Sequence, residues 1–252
     1  MAGHSKWASI KHKKAATDAK RGQLFTKLAR AITVAAKEGG GDLEANYTLA
    51  AAVEKAKGYS MPKDNIQRAI DRGTGAGGAG DEIERVVYEG YGPGGAAIMV
   101  DALTDNRNRT GSEVRHAFDR HGGSLGEPGS VAWQFESRGI VLVDAERYAE
   151  DDLLVAVDAG AEDVARDGDV FEVSSEPSRL RDVRAALDDA GIEIQHAETA
   201  MQPTSTVDVD EASTAKRLLK LVDTLDEHDD VESVHANFDI PAELLEELEA
   251  TA

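Results

Sequence analysis

The chain has 252 residues, 41% of them hydrophobic, and this length predicts two or three domains with their own cores. It has no cysteine, which excludes disulfides, thiolate metal sites and cysteine nucleophiles and favours a reducing compartment. The formal net charge of −20 would by itself disfavour contact with a polyanion.

The first thirty residues carry the opposite charge. They contain eight lysines and arginines and one acid, Asp18, which gives +7 and leaves −27 for residues 31–252. Residues 1–15 have little periodicity and predict a mobile basic arm. Apolar spacing then predicts helices over about 17–37, 44–57 and 62–73 that together form a small bundle.

A change of pattern follows the bundle. Five glycines in residues 73–80 predict a flexible linker. Beyond residue 81, alternating strands and helices predict α+β layers with helices on one face of each sheet. Residues 131–135 and 139–144 are predicted to pair as a hairpin, and residues 241–249 are predicted to form a short acidic helix.

Several apparent motifs fail their structural context. Matches to G-x-G-x-x-G begin at Gly73, Gly75 and Gly90, but none stands between a strand and a helix, so turns or linkers are favoured. Gly122–Gly126 matches a nucleophile elbow, yet a predicted helix precedes it, which favours a glycine-rich turn. His116 has no set of partners with metal-ligand spacing. We therefore expect that the chain is not an enzyme and that it binds no metal and no cofactor.

The arm and the first helix carry groups that suit a nucleic acid. Basic side chains would contact phosphates, and Trp7 offers a plane for stacking on a base. The alternative that stays open is that these charges only pair with the acidic remainder of the chain. The candidate binding residues of this region are His4, Lys6, Trp7, Lys11, His12, Lys13, Lys14, Lys20, Arg21 and Lys27.

A series of motifs along the chain resembles the YebC/PmpR family. They include Gly3-His-Ser-Lys-Trp7, Lys11-His-Lys-Lys14, Asp18-Ala-Lys-Arg-Gly22, Pro62-Lys-Asp-Asn-Ile66, Tyr88-Glu-Gly-Tyr-Gly-Pro93, Leu103-Thr-Asp-Asn-Arg-Asn-Arg109 and Gly122-Gly-Ser124. The similarity covers nearly the whole chain, and the motifs are ordered and specific.

The resemblance implies an α+β protein with an N-terminal three-helix bundle followed by two α+β domains with antiparallel or mixed sheets. Three domains would surround a central cleft. The implied divisions are 1–80 for arm, bundle and linker, 81–131 plus 204–240 for a discontinuous α+β domain, 132–203 for an inserted α+β domain, and 241–252 for an acidic tail. The order of elements alone would equally allow two consecutive domains.

The family segment Asp105–Arg109 adds three candidate binding residues, Arg107, Asn108 and Arg109, at a strand-to-helix junction. Helix N-terminal amides could add to phosphate binding there. It remains equally open that Asn108 or Thr110 caps the helix and that the arginines pair with local acids.

The resemblance also implies a function. Family members are mostly described as DNA-binding transcriptional regulators, while mitochondrial relatives are translational activators and some bacterial members are linked to stalled ribosomes. We expect a nucleic-acid-binding regulator of gene expression that acts on DNA, with a ribosome- or RNA-associated translation factor as the alternative. A basic arm without an evident helix-turn-helix pattern slightly favours RNA.

The partners expected are thus DNA, ribosomal RNA or the ribosome, with no small-molecule substrate. No signal peptide and no apolar run of membrane-spanning length is evident in the sequence, so we expect a cytoplasmic protein without a membrane partner.

Overall fold

A computed structural model of the chain describes residues 18–76 and 83–250, with side chains from Gln23 onward except those of Ala242, Glu246, Glu249 and Ala250. The predicted arm and part of the predicted linker lie outside these ranges. The helices are α1 (Asp18–Gly39), α2 (Tyr47–Gly58), α3 (Lys63–Gly73), α4 (Arg107–Arg120), α5 (Leu154–Asp158), α6 (Leu180–Asp189), α7 (Ala212–Asp226) and α8 (Ala242–Ala250). The strands are β1 (Glu84–Tyr91), β2 (Ala97–Thr104), β3 (Ser124–Leu125), β4 (Phe135–Asp144), β5 (Ala161–Asp167), β6 (Val170–Ser175), β7 (Ile194–Pro203), β8 (Val207–Asp208), β9 (Val231–Ala236) and β10 (Phe238–Asp239).

Helices α1, α2 and α3 form the predicted bundle. Their apolar faces meet in a core that includes Ile32, Leu49 and Ile70. Asn46 joins two of the helices, because its side-chain oxygen accepts from the Leu49 amide at the start of α2 while its amide nitrogen donates to the Ala35 carbonyl of α1. This buried amide stabilises the α1–α2 connection through capping and cross-helix hydrogen bonds.

A first antiparallel sheet has the strand order β3-β1-β2-β9. Helices α4 and α7 cover one face, and Phe118 and Leu221 are fully buried there against Ile98 and Val100 of β2. The predicted acidic helix near the C-terminus is present as α8, and it buries Leu245 in the same core. Strand β9 thus joins a sheet whose other members lie more than a hundred residues earlier.

A second antiparallel sheet has the order β5-β6-β4-β7 and packs against α5 and α6. The predicted hairpin over 131–144 is wrong, because Phe135–Asp144 is one continuous strand that pairs with β7 along its length. Gly139 does not end a turn. A Cβ atom there would lie 2.7 Å from the Ser175 hydroxyl, so this glycine allows β4 to approach β6 closely.

The bundle contacts both sheets. Val34 of α1 packs with Ile83 and Leu103 beside the first sheet. Lys55 of α2 lies 3.3 Å from Glu198 of β7 in the second sheet. The helical bundle and the two α+β units agree with the predicted fold class, while the residue boundaries of the domains stay a prediction. None of the helices within 18–76 and 83–250 is both long and apolar enough to cross a bilayer.

Candidate nucleic-acid interface

An open groove of about 480 Å³ runs between α1 and α3. Three arginines line it, Arg30 from α1 and Arg68 and Arg72 from α3, together with the ring of Phe25. Asp105, which follows β2, reaches the same groove. Because Arg68 and Arg72 are four residues apart on one helix, their side chains lie on the same face. The groove therefore brings three cations and one acid together on a chain that is acidic overall.

The carboxylate of Asp230 organises one end of this region. Arg30 lies 2.6 Å from its Oδ1, and Arg109 donates to its Oδ2 at 2.8 Å. The Thr110 hydroxyl donates to the same Oδ2 at 2.7 Å. Asp230 is almost fully buried, whereas the two arginines keep a quarter to nearly a half of their side-chain surface exposed. A buried acid thus holds two partly exposed cations in place.

The electrostatics of Asp230 follow from these contacts. Burial alone would raise its pKa, but the hydrogen bonds from Arg109 and Thr110 and the charge of Arg30 outweigh it and hold the pKa below the ordinary value. Hydrogen bonds to Asp230 and to Asp105 raise the pKa of Arg109. Both groups stay charged at neutral pH.

Lys27 and Arg30 of α1 both bind backbone carbonyls within the protein. The Lys27 ammonium group donates to the backbone carbonyl of Asp226, and Arg30 donates to the carbonyl of Asp229 at 2.7 Å. The last residue of α7 and the loop after it therefore hold two cations of α1. Lys27 is therefore engaged by the protein backbone in this structure, and its role as a phosphate ligand stays a prediction.

The junction before α4 is capped by a residue that the sequence did not indicate. The Asn106 side chain accepts from the Arg109 amide at 3.1 Å, so neither Asn108 nor Thr110 is the cap. Asn106 has this role because the β2 ladder ends at Thr104, whose hydroxyl accepts from the Asn106 amide at 2.9 Å. Thr110 instead turns its hydroxyl toward Asp230.

The predicted binding residues at this junction differ in how firmly they are held. Arg109 pairs with both Asp105 and Asp230. Arg107 is 63% exposed and lies 3.7 Å from Glu84, a loose contact, and Asn108 is exposed. Arg107 and Asn108 are therefore accessible to a ligand, whereas Arg109 also has a structural role.

The remaining predicted site residues cannot be placed in this way. Nine of the predicted side chains lie outside the described part of the structure, namely those of His4, Lys6, Trp7, Lys11, His12, Lys13, Lys14, Lys20 and Arg21. They stay predictions. The sequence reasoning missed Arg68, Arg72 and Asp230. Arg68 and Arg72 are four residues apart and lie on the side of α3 away from Ile66 and Ile70. This helical spacing could have indicated the two arginines from the sequence.

Glu113, His228 and Asp230 bring three potential metal-ligand atoms within 4.8 Å of one another. These atoms already have partners. His228 Nε2 lies 2.8 Å from Glu113, and His228 Nδ1 accepts from the Asp230 amide. Both Asp230 oxygens accept from the arginines and Thr110. The arrangement is therefore explained by hydrogen bonding within the protein.

Known proteins resemble this chain over nearly its whole length. Residues 5–76 match the TACO1/YebC protein N-terminal domain, and residues 83–238 match the TACO1/YebC second and third domain. A protein of Rubrobacter xylanophilus named a probable transcriptional regulatory protein is 57% identical, across 98% of this chain and 99% of its own. One of the same name from Halothermothrix orenii is 52% identical, with 98% and 99% covered.

A solved structure shares the fold. The crystal structure of a conserved hypothetical protein from Aquifex aeolicus matches with a TM-score of 0.85 and 48% identity, over 95% of this chain and 99% of that one. The match includes the bundle and both sheets, since it spans almost every element described above. Together with the two matched domain families, it shows that the chain belongs to the TACO1/YebC family.

Proposed function

We propose that the chain is a nucleic-acid-binding regulator of gene expression, with DNA as its first candidate target. The observation that carries the proposal is the groove lined by Arg30, Arg68 and Arg72 in a chain of net charge −20. Cations that gather on an acidic protein favour a polyanionic ligand. Helix α1 forms one wall of the groove and follows the basic arm in the chain, so arm and groove would bind one continuous phosphate backbone.

Two features support DNA. Relatives at 52–57% identity are named probable transcriptional regulatory proteins. In addition, α2 and α3 are joined by only four residues, 59–62, a connection length shared with helix-turn-helix proteins. The sequence predicted two helices with a short connection here, although no helix-turn-helix pattern was evident. In this proposal the chain regulates by binding in the cytoplasm and catalyses no reaction.

An RNA- or ribosome-associated translation factor is the second candidate. The groove places the ring of Phe25 beside the arginines. Rings next to cations suit unpaired bases, because a base can stack while its phosphate meets an arginine. Unpaired bases are common in folded RNA. Recovery of crosslinked nucleic acid from cells, followed by sequencing, would distinguish promoter DNA from ribosomal RNA.

The proposal is tested by the salt dependence of binding. Each phosphate contact contributes about 0.9 to the slope of log affinity against log salt for duplex DNA and about 0.7 for single strands. Replacing Lys11, Lys13 and Lys14 together by alanine should therefore lower the slope by about 2 to 3. The double replacement of Arg68 and Arg72 should lower it by about 1.5 to 2.

A matched control removes three positive charges elsewhere. Replacing Arg147, Arg179 and Arg181, which lie on loops and α6 beside the second sheet, changes net charge by the same amount as the arm variant. It should leave the slope near the wild-type value. If the arm variant and the control had the same slope as wild type, the arm would have no part in binding.

A further inference from the structure

A second group of positive charges lies at the C-terminal end of α4, remote in sequence from the basic arm. Arg120 and Lys220 are both exposed. Arg120 directly precedes His121, whose Nε2 lies 3.2 Å from the Thr224 hydroxyl, and this hydroxyl donates to the Lys220 carbonyl at 2.7 Å. Arg217 reaches the next residue, because a Cβ atom built on Gly122 would lie 3.3 Å from its Nη1. Three exposed cations thus surround one turn.

These cations differ from those around Asp230. Among the described residues, no carboxylate forms an ion pair with Arg120, Arg217 or Lys220, although Arg217 bonds to Ser213 and Thr214 of its own helix. Hydrogen bonds from Ser213 and Thr214 lower the pKa of Glu211, and the charge of Arg217 adds to this effect, but Glu211 and Arg217 do not form an ion pair. Unpaired cations keep their charge available for an anionic partner, and on so acidic a chain such a group indicates a binding surface.

Two exposed rings border the same glycine-rich segment. Tyr91 and Trp133 are 36% and 73% exposed, the latter an unusual exposure for so large an apolar ring. Their polar atoms converge on one acceptor, since the Tyr91 hydroxyl and the Trp133 indole nitrogen donate to the Ser130 carbonyl at 3.0 and 3.2 Å. The hydrogen bonds orient both rings while leaving ring surface open.

A buried carboxylate holds the segment that carries Trp133. Glu89 of β1 accepts from the amides of Gly129, Val131 and Ala132 at 2.7 to 2.8 Å. Three bonds to one charged group hold the backbone that leads into Trp133. A stacking surface fixed before binding loses little conformational freedom when a ligand arrives.

The charges and the rings border the same end of the first sheet. Tyr91 pairs with Ser124 in the sheet, and Ser124 follows Gly122 by two residues. A Cβ atom on Gly90 would meet the Phe118 ring of α4, so the alternation of side chains along β1 places Tyr91 on the face opposite α4 and α7. A single strand that crosses this end of the sheet would meet basic side chains on one face and exposed rings on the other. Basic side chains combined with exposed rings bind single strands, where bases are free to stack.

We propose that Arg120, Arg217 and Lys220 bind the phosphates of single-stranded nucleic acid and that Trp133 stacks on one of its unpaired bases. The proposal rests on the nucleic-acid-binding function and assigns it a second contact surface that uses neither the arm nor the arginine-lined groove. The ligand class is a single-stranded RNA or DNA segment. Binding of duplex DNA does not require this surface, since paired bases are not free to stack.

The first test measures charge. Binding of fluorescein-labelled oligo(U) and oligo(dT) of equal length is followed by anisotropy over a range of salt concentrations. Replacing Arg120, Arg217 and Lys220 together by alanine should reduce the single-strand slope by about 2. The triple variant of Arg147, Arg179 and Arg181 is the control and should retain the wild-type slope. Comparing the two oligonucleotides tells whether RNA or DNA is preferred.

The second test observes the ring directly. The chain has two tryptophans, so a Trp7→Phe variant leaves Trp133 as the only one. Its fluorescence should be quenched when oligo(U) or oligo(dT) binds. Trp133→Leu should weaken single-strand binding roughly 5- to 150-fold, whereas Trp133→Phe keeps a ring and should lose much less. Circular dichroism of each variant checks that the fold is retained.

The outcomes separate the two proposals. If the wild-type chain binds neither oligonucleotide nor duplex DNA, the proposed function itself fails. If it binds them and the arm variant weakens binding, while the slope of the Arg120, Arg217 and Lys220 variant and the emission of Trp133 stay unchanged, only the second surface is overturned. An acidic protein as the true partner of these cations would give this second result.

Discussion

Arg109, in the first turn of α4, donates to the carboxylate of Asp230 at 2.8 Å although 121 residues separate the two in the chain. The same carboxylate accepts from Arg30 of the bundle. Asp230 therefore links α1, α4 and the loop before β9 through one buried charge. The positions of two candidate phosphate ligands depend on an acid that itself would repel a phosphate.

Asp230→Asn should destabilise the fold. The amide cannot replace a carboxylate that accepts from two arginines and a threonine, and bonds to charged groups contribute about 1.5 to 3 kcal/mol each. We expect the free energy of unfolding, measured by urea denaturation, to fall by about 1.5 to 3 kcal/mol. Asp229→Asn is the control, because Asp229 offers its backbone carbonyl to Arg30 and its side chain is exposed. Equal stability of the two variants would contradict the role of Asp230.

Arg107 and Arg109 should respond differently to replacement by glutamine. Arg107→Gln should leave stability nearly unchanged and reduce the salt slope of binding by about 0.7 to 0.9, the contribution of one phosphate. Arg109→Gln should lower stability, because it removes a partner of buried Asp230. Denaturation and anisotropy on the same preparations measure both effects. Identical behaviour of the variants would mean that exposure does not distinguish binding from structural arginines.

Glu89 should make stability depend on pH. Its burial raises the pKa, but hydrogen bonds from the amides of Gly129, Val131 and Ala132 outweigh burial and lower the pKa below the ordinary 4.5. A lowered pKa in the folded state means that the unfolded chain binds more protons in acid. The stabilisation by Glu89 is therefore complete above about pH 4.5 and is lost as the pH falls toward the folded-state value.

Glu89→Gln removes this contribution. The stability difference between wild type and the variant should be largest at neutral pH and should shrink as the pH falls below 4.5. Urea denaturation over a series of pH values measures it. A difference that stayed constant with pH would show that the carboxylate charge does not hold the 129–132 backbone. The same substitution should also broaden the fluorescence emission spectrum of Trp133.

The helices could be predicted from the sequence because their apolar spacing repeats at short range. Strand β5 was missed. It is an edge strand, and its sequence Ala161–Asp167 has four charged residues and only one large apolar residue, so it lacks the alternation that indicates a strand. The predicted hairpin failed for a different reason: the polar run Glu136–Arg138 is typical of a turn, whereas in the structure it continues β4 and pairs with β7.

The candidate site was less predictable than the fold. The positive arm and the Asp105–Arg109 segment are evident in the sequence, one from charge and the other from family resemblance. Asp230 is one acid in the run Asp226–Asp230, and nothing local distinguishes it from its neighbours. Its burial and its arginine partners come from contacts between residues 30, 109 and 230, which the fold alone brings together.

The turn after α4 offers a last prediction about packing. Gly90 of β1 lies opposite Leu125 of β3, and a Cβ atom at Gly90 would lie 2.6 Å from the Ser124 carbonyl oxygen and 2.7 Å from the Phe118 ring. Neither neighbour can move easily, because one is backbone and the other is fully buried. Gly90→Ala should lower the free energy of unfolding by about 1 to 3 kcal/mol.

Gly58→Ala is the matched substitution. Gly58 is the last residue of α2, and a Cβ atom there would meet no atom within 4 Å beyond its chain neighbours and the backbone of its own helix. Alanine should raise the free energy of unfolding by about 0.4 to 1 kcal/mol, because it restricts the unfolded chain without straining the helix. Urea denaturation of both variants gives the comparison. If Gly90→Ala were as stable as Gly58→Ala, β3 would not be packed against β1 and α4 as the structure describes. The glycine-rich turn after α4, which leads into β3, would then lack this packing.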